Sequence, residues 1–134
     1  MVHRVREITD AFGSRLTLSV EPHPIGALIT LERSDKANRP RILFDAFGAE
    51  LLAGYIMASR LALPGSLPEE RFGGNFPSAI RLSHDPKVSI EVESDAVVRP
   101  FDIPAPFWDR LYAELCLVVA HARELGRRGK AAIH

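Results

Sequence analysis

The residues that could do acid–base or metal chemistry are scattered along the chain. None of the five histidines has a partner at the spacing by which a helix or ribbon binds a metal ion. Cys116 stands alone on the apolar side of a predicted helix, where we expect a small buried hydrophobic residue. Asp45 and Asp102 each follow a phenylalanine and precede a predicted helix, which favours helix capping over an acid pair. The sequence therefore predicts no catalytic residue, no metal site and no cofactor.

One loop combines residue types that binding surfaces favour. The stretch EERFGGNFP, residues 69–77, places an arginine, two phenylalanines and an asparagine around a Gly-Gly pair. Arginine and aromatic side chains are enriched at protein interfaces. The sequence thus predicts a binding loop, or a lid over a small ligand, within residues 64–78; the alternative is that both phenylalanines fold back onto the core. The candidates are Arg71, Phe72, Asn75 and Phe76.

Basic residues gather in two places and are the candidates for nucleic-acid contacts. A single-strand binder needs a cationic groove and aromatic platforms, whereas the polar faces of the predicted strands carry mixed charge and no aromatic residue. The second basic group also suits a helix C-terminus followed by a solvated tail. The candidates are Arg39, Arg41, Arg123, Arg127, Arg128 and Lys130.

The elements that must position these residues follow one order twice. Strands are predicted at 15–21, 27–33 and 41–44 by alternation of apolar and polar residues, and a helix over 45–63 follows. After the loop, strands at 80–83, 88–92 and 97–103 precede a helix that begins near Pro106 and ends at Gly126. Residues 2–12 are compatible with a helix or an edge strand.

This order predicts one α+β domain for the 134 residues. We expect curved antiparallel sheet structure in two pseudo-repeated units, 1–63 and 79–126, each of three or four strands plus a helix. The loop 64–78 joins the units, the C-terminal helix is long, and a polar tail, 127–134, frays.

The first predicted helix has almost no polar face, because Glu50 and Arg60 are its only charges between Asp45 and Pro64. A helix that is apolar all round is buried all round, so its second side must meet the other helix or a partner subunit. A glycine in a helix interior costs about 1 kcal/mol relative to alanine, which indicates close packing at Gly54. The candidate contacts are Leu52, Gly54, Tyr55, Ile56, Met57 and Leu117.

The leading functional prediction is a non-catalytic interaction or regulatory protein that acts as a homodimer. Seventeen basic residues balance seventeen acidic ones, and this zero net charge favours association over repulsion. A single cysteine, no apolar leader after Met1 and no run of about 18 apolar residues predict a cytoplasmic protein without a membrane partner.

The repeated strands-plus-helix order resembles the Whirly-type single-stranded-DNA-binding regulators, and the strand order is similar to that of actinobacterial sporulation cell-division regulators. The chain also looks like small bacterial proteins of unknown function. The resemblance covers the whole chain as topology but includes no family motif, and the lysine-rich signature of some Whirly proteins is absent. It therefore assigns no functional residue. It implies a single-stranded nucleic-acid-binding regulator as the alternative function; a small-ligand binder with the 64–78 loop as its lid is the third.

Overall fold

In the residues that the structure describes, the chain forms two antiparallel four-stranded sheets and two α-helices. A computed structural model describes residues 4–92 and 100–133, with side chains described for 5–92 and 100–128. The elements are β1 Arg4–Thr9, β2 Arg15–His23, β3 Gly26–Arg33, β4 Arg41–Phe44, α1 Ala46–Ala62, β5 Glu70–Phe72, β6 Ser78–Ser83, β7 Lys87–Val92, β8 Phe101–Pro104 and α2 Trp108–Ile133. A 3-10 turn, Ala105–Phe107, joins β8 to α2. The predicted α+β class, with two strand-plus-helix units and a long C-terminal helix, is confirmed.

Each sheet is a meander in which every strand pairs with the next along the chain. The N-terminal sheet has the order β1-β2-β3-β4 and the C-terminal sheet the order β5-β6-β7-β8. Alternation places Leu16, Leu18 and Val20 of β2 on the buried face, and Leu18 lies opposite Leu31 of β3. One apolar face per sheet is what an antiparallel sheet with one solvated side requires.

The two helices pack side by side and cover these apolar faces. α2 lies over β1, β2 and β3, while α1 contacts α2 and reaches strands of both sheets, β3, β4 and β6. A single core cluster joins residues from both sheets and both helices. Trp108 is fully buried at the start of α2, where its indole N–H donates to the Ile103 carbonyl at 2.8 Å. α1 therefore packs against strands of both sheets.

The N-terminal segment is an edge strand, not a helix. β1 pairs with β2 from Arg4 to Thr9, and Ile8 is its buried residue opposite Leu16. Phe12 then lies in the turn and is 86% exposed. The spacing of the apolar residues is compatible with a helix, but Phe12 belongs to the β1–β2 connection and not to the core.

The 64–78 segment contains a strand that the sequence did not predict. β5 pairs with the beginning of β6, with Arg71 opposite Ala79. Its three residues are too few and too polar to show an alternating pattern. The second unit therefore begins inside the predicted loop and has four strands like the first.

α2 continues through Gly126 to Ile133, so the prediction that the helix ends at this glycine is wrong. The backbone there lies against the β2–β3 hairpin: a Cβ built on Gly126 would be 3.8 Å from the Gly26 Cα atom. Gly126 thus lies where helix and hairpin backbones meet, and the backbone of the predicted fraying tail is helical as far as Ile133.

The predicted helix cap at Asp45 is confirmed, and the one at Asp102 is wrong. The Asp45 carboxylate accepts the Gly48 backbone N–H at 2.7 Å and caps α1 as expected. Asp102 instead lies within β8 and accepts the Ser89 hydroxyl at 2.7 Å across the strand pair. The predicted strand 97–103 is present as β8 from Phe101, and its first residues lie outside the described part of the chain.

Candidate functional site

The outer surface of the two helices is exposed and largely apolar. On α1, Phe47, Met57 and Leu61 are 52%, 37% and 78% exposed, and on α2 Leu117 is 63% exposed. We call this surface the helical face; it consists of Phe47, Gly54, Met57, Leu61, Ala113, Cys116, Leu117 and Ala120. Large exposed apolar side chains on two adjacent helices are candidates for an interaction site.

The structure separates the predicted dimer contacts into two sets. Leu52, Tyr55 and Ile56 are 0%, 2% and 1% exposed and belong to the core, so they cannot contact a partner. Their burial follows from the position of α1, which meets both sheets and α2. Gly54, Met57 and Leu117 lie on the helical face, so these three remain available to a second molecule.

Tyr55 shows how firmly the inner side of α1 is fixed. Its hydroxyl donates to the Pro68 carbonyl at 3.0 Å, which attaches the segment before β5 to the helix. Burial raises the pKa of the Tyr55 hydroxyl above its ordinary value. The hydroxyl therefore stays protonated, and its role is to join two segments of the chain.

Gly54 is not closely packed within the described chain, which leaves a partner subunit as the remaining alternative for the predicted close packing. A Cβ built on this residue would have no atom within 4 Å. The small side chain is thus not required by any contact inside the protein, although glycine in mid-helix costs about 1 kcal/mol relative to alanine. The open space lies at the centre of the α1 part of the helical face.

Ion pairs between the helices border this surface at both ends. Arg123 of α2 pairs with Glu50 of α1, and Arg60 Nε lies 3.1 Å from Asp109 Oδ1. The Arg60 guanidinium also stacks over the Trp108 ring at 5.1 Å. Because α1 has no charged residue between Glu50 and Arg60, the middle of its exposed side is uncharged.

Cys116 lies on the helical face, so the prediction that it is buried is wrong. It is one turn from Tyr112, and their mutual hydrogen bond is the main cause that raises the pKa of the tyrosine hydroxyl. The apolar stripe of α2 is wider than the surface its sheet and α1 cover, which is why the sequence did not separate Cys116 from core positions.

The predicted binding loop is attached to the start of α1. The Asn75 backbone N–H and side-chain amide both donate to Asp45 Oδ2, at 3.2 and 3.1 Å. Phe72 packs partly against the core and meets Phe47 edge-to-face, with ring centroids 6.4 Å apart. These contacts favour the alternative in which this part of the loop is structural.

The two other loop candidates differ in exposure. Phe76 is half-buried, and its carbonyl accepts the Ser78 hydroxyl at 2.9 Å. Arg71 is exposed and lies 3.4 Å from the Glu69 carboxylate. In this segment Arg71 and Asn75 are exposed, whereas Phe72 and Phe76 are half-buried.

The predicted basic groups lie apart and are largely paired with carboxylates. Arg39 Nε is 2.9 Å from Glu32, Arg123 pairs with Glu50, and Glu124 accepts from Arg127 and from Arg128. Arg41 is exposed opposite Glu32, whereas α2 passes the hairpin at Gly26. Gly26 and Glu32 stand near opposite ends of β3, about 20 Å apart at roughly 3.3 Å per residue. The side chain of Lys130 lies outside the described set.

A cleft that the sequence did not predict lies where the β2–β3 hairpin meets α2. Its volume is about 870 Å³. We call it the hairpin cleft; its lining residues are Pro22, His23, Pro24, Ile25, Gly26, Ala27, Ala46, Ala122, Arg123, Leu125, Gly126 and Arg127. The stretch EPHPIG, residues 21–26, indicates a rigid hairpin because its two prolines restrict the backbone. Nothing in the sequence indicates that α2 contacts this hairpin.

These features define the protein as a two-sheet α+β protein with an exposed helical face and a cleft beside it. No protein-family model matches the chain, and no curated protein matches it. Among the side chains described, no group of three or more His, Cys, Asp or Glu residues could hold a metal ion. No helix in the described ranges is long and apolar enough to cross a membrane.

Proposed function

We propose that the protein works without catalysis, as a homodimer that forms through the helical face. The observation that carries the proposal is the open space at Gly54. A glycine in the middle of a helix lowers its stability relative to alanine, so a compensating contact is expected at Gly54. The described chain provides no contact at that Cβ position. Close approach of a second helix at this point would supply it.

A second copy of the chain fits the charge of the surface. Each end of the helical face carries one cation and one anion, Arg123 with Glu50 and Arg60 with Asp109. In an isologous dimer the same patch lies on both sides of a two-fold axis. A two-fold axis through this face therefore places no excess of like charges against each other. The uncharged middle of α1 then contacts the same segment of the second subunit.

The size of the surface sets the expected affinity. α1 from Phe47 to Leu61 is about 20 Å long at 1.5 Å per residue, and two packed helices lie about 10 Å apart. The flat footprint is therefore roughly 400 Å², below the roughly 800 Å² per partner of a standard interface. We expect a weak dimer that dissociates on dilution.

Sedimentation velocity over a concentration series tests this proposal. The wild-type mass should rise from the 14.8 kDa of the monomer towards twice that value. Gly54→Arg should stay monomeric and folded, because its Cβ enters open space and the charge would lie in the apolar centre. Val5→Asp is the matched control, since Val5 is 56% exposed on the opposite side of the N-terminal sheet.

A wild-type mass that remains at 14.8 kDa at the highest concentration would overturn the proposal. Equal loss of the dimer in Val5→Asp would place the contact on the sheet instead. The nucleic-acid and ligand-lid alternatives stay predictions, because the two basic groups lie at different ends of β3 and the loop is attached to α1.

A further inference from the structure

The hairpin cleft has the size and rigidity of a small-molecule site. Its volume of about 870 Å³ lies within the roughly 300–1,000 Å³ that is typical of ligand pockets. One wall is the end of the β2–β3 hairpin, where Pro22 and Pro24 restrict the backbone. The other wall is α2 from Ala122 to Arg127. Both walls are regular structure or stiffened turn, so the shape exists before a ligand arrives.

The lining combines apolar walls with positive charge. Pro22, Pro24 and Ile25 supply exposed hydrocarbon surface, and the lining includes two arginines but no carboxylate. Arg123 and Arg127 each use one terminal nitrogen for a glutamate outside the lining. A guanidinium has five N–H donors, so both retain donors for a ligand.

His23 adds a further donor at the same rim. Its Nδ1 atom accepts the Ile25 backbone N–H at 3.3 Å. In the neutral ring the proton then resides on Nε2, which leaves an N–H group for a ligand oxygen. The polar groups of the cleft are therefore donors around an apolar floor.

We propose that the hairpin cleft binds a small amphipathic anion, one with a flat apolar body and a single sulfonate, carboxylate or phosphate group. The apolar body lies on the hairpin and on Leu125. The anionic group accepts from Arg123 and Arg127. The site is separate from the proposed dimer function, since a monomer has the complete cleft.

Glu50 regulates this site as a built-in competitor. The Glu50 carboxylate already forms an ion pair with the Arg123 guanidinium, although Glu50 does not line the cleft. An incoming anion must share or displace this contact. Removal of the Glu50 charge therefore strengthens anion binding, whereas purely apolar binding would be insensitive to it.

The test is a fluorescence titration with 8-anilinonaphthalene-1-sulfonate, an aromatic anion, and with N-phenyl-1-naphthylamine, which lacks the sulfonate. The wild type should bind the sulfonate more tightly than the neutral probe. Arg123→Gln/Arg127→Gln should weaken sulfonate binding on the order of tenfold, the value of one charge-assisted hydrogen bond. Glu50→Gln should tighten it, by roughly threefold. The neutral probe should bind all variants alike.

Arg128→Gln is the matched control, because Arg128 shares the partner Glu124 with Arg127 but does not line the cleft. Met57→Glu controls for probe bound on the helical face and should leave the titration unchanged. Amide NMR shifts on sulfonate addition should appear at Ile25, Gly26 and Gly126, and not at Gly54. Equal affinity for both probes, or shifts confined to Gly54 and Met57, would overturn the proposal whatever the oligomeric state.

Discussion

At the residue scale, Glu114 is a buried charge with a clear structural purpose. It is 6% exposed on α2 and accepts two bonds from Arg6 of β1, at 2.6 and 3.1 Å. Arg110, one turn earlier, adds a contact at 3.8 Å. The hydrogen bond from Arg6 is the main cause that holds the pKa of Glu114 below its ordinary value. This pair joins the first strand of the chain to its last helix.

The free energy of unfolding should therefore depend on pH through Glu114. Because its folded-state pKa lies below the unfolded value of about 4.3, the pair stabilises the fold above that pH. This contribution is lost as the pH falls through the folded-state pKa. In urea unfolding at pH 7 and pH 3, the wild type should lose more stability than Glu114→Gln. Glu7→Gln, in an exposed pair with Arg15, should behave as the wild type; parallel losses in wild type and Glu114→Gln would contradict the linkage.

At the element scale, two glycines face each other where the β2–β3 hairpin meets α2, yet they differ in backbone conformation. Gly26 has φ +113°, a region that residues with a side chain rarely adopt. Gly126 is an ordinary residue of the α2 helix. Close approach is common to both positions, but only Gly26 needs glycine for its backbone.

We expect the two alanine substitutions to change stability in opposite directions. Gly126→Ala should raise the free energy of unfolding by about 1 kcal/mol through helix propensity, since its Cβ would make an ordinary 3.8 Å contact. Gly26→Ala should lower it by about 1–3 kcal/mol through backbone strain. Urea unfolding of both variants measures the difference. Destabilisation by Gly126→Ala would mean that the hairpin and helix cannot separate even slightly.

The sequence predicted the strand–helix order better than the details of each element. Alternation in β2 and β3 is unambiguous because one face of each strand is fully buried. β5 escaped detection because its residues Glu70–Phe72 carry no alternating pattern, and pair only because β6 lies beside them. The sequence predicts a helix end at Gly126 because a glycine that ends a helix and a glycine at a close backbone approach look the same in sequence.

The candidate site was predicted only in outline for a related reason. α1 is apolar on every side, so periodicity could not distinguish Leu52 and Ile56 in the core from Met57 at the surface. The hairpin cleft depends on residues about a hundred positions apart, Gly26 and Gly126, and no local pattern reports such a contact. A catalytic or metal-binding motif is recognisable in a sequence, whereas the shape of a cleft formed by distant residues is not.

At the scale of the whole molecule, the described charges are organised as local pairs and not as a cationic surface. Glu32, Glu50 and Glu124 each pair with an arginine that the sequence predicts as a nucleic-acid contact. The two basic groups also stand at different ends of the N-terminal sheet. A protein that binds single strands needs a continuous positive groove, so this arrangement argues against strong electrostatic binding.

We therefore expect labelled single-stranded oligonucleotides to show no steeply salt-dependent fluorescence anisotropy. Titrations at low salt, where phosphate contacts are strongest, are the most demanding condition. A duplex of the same length serves as the control. Binding of single strands that weakens steeply with salt, and that is lost in Arg39→Gln/Arg41→Gln, would restore the nucleic-acid function.

The separation in sequence between the N-terminal sheet and α2 has a consequence for synthesis. The N-terminal sheet is complete in sequence at Phe44, yet its apolar face is covered mainly by α2, which begins only at Trp108. Domains form as their residues leave the ribosome. A nascent chain that ends before α2 therefore displays Leu16, Leu18 and Val20 uncovered, as a surface that chaperones bind. Emergence of α2 from the ribosome is therefore the event that covers this apolar face.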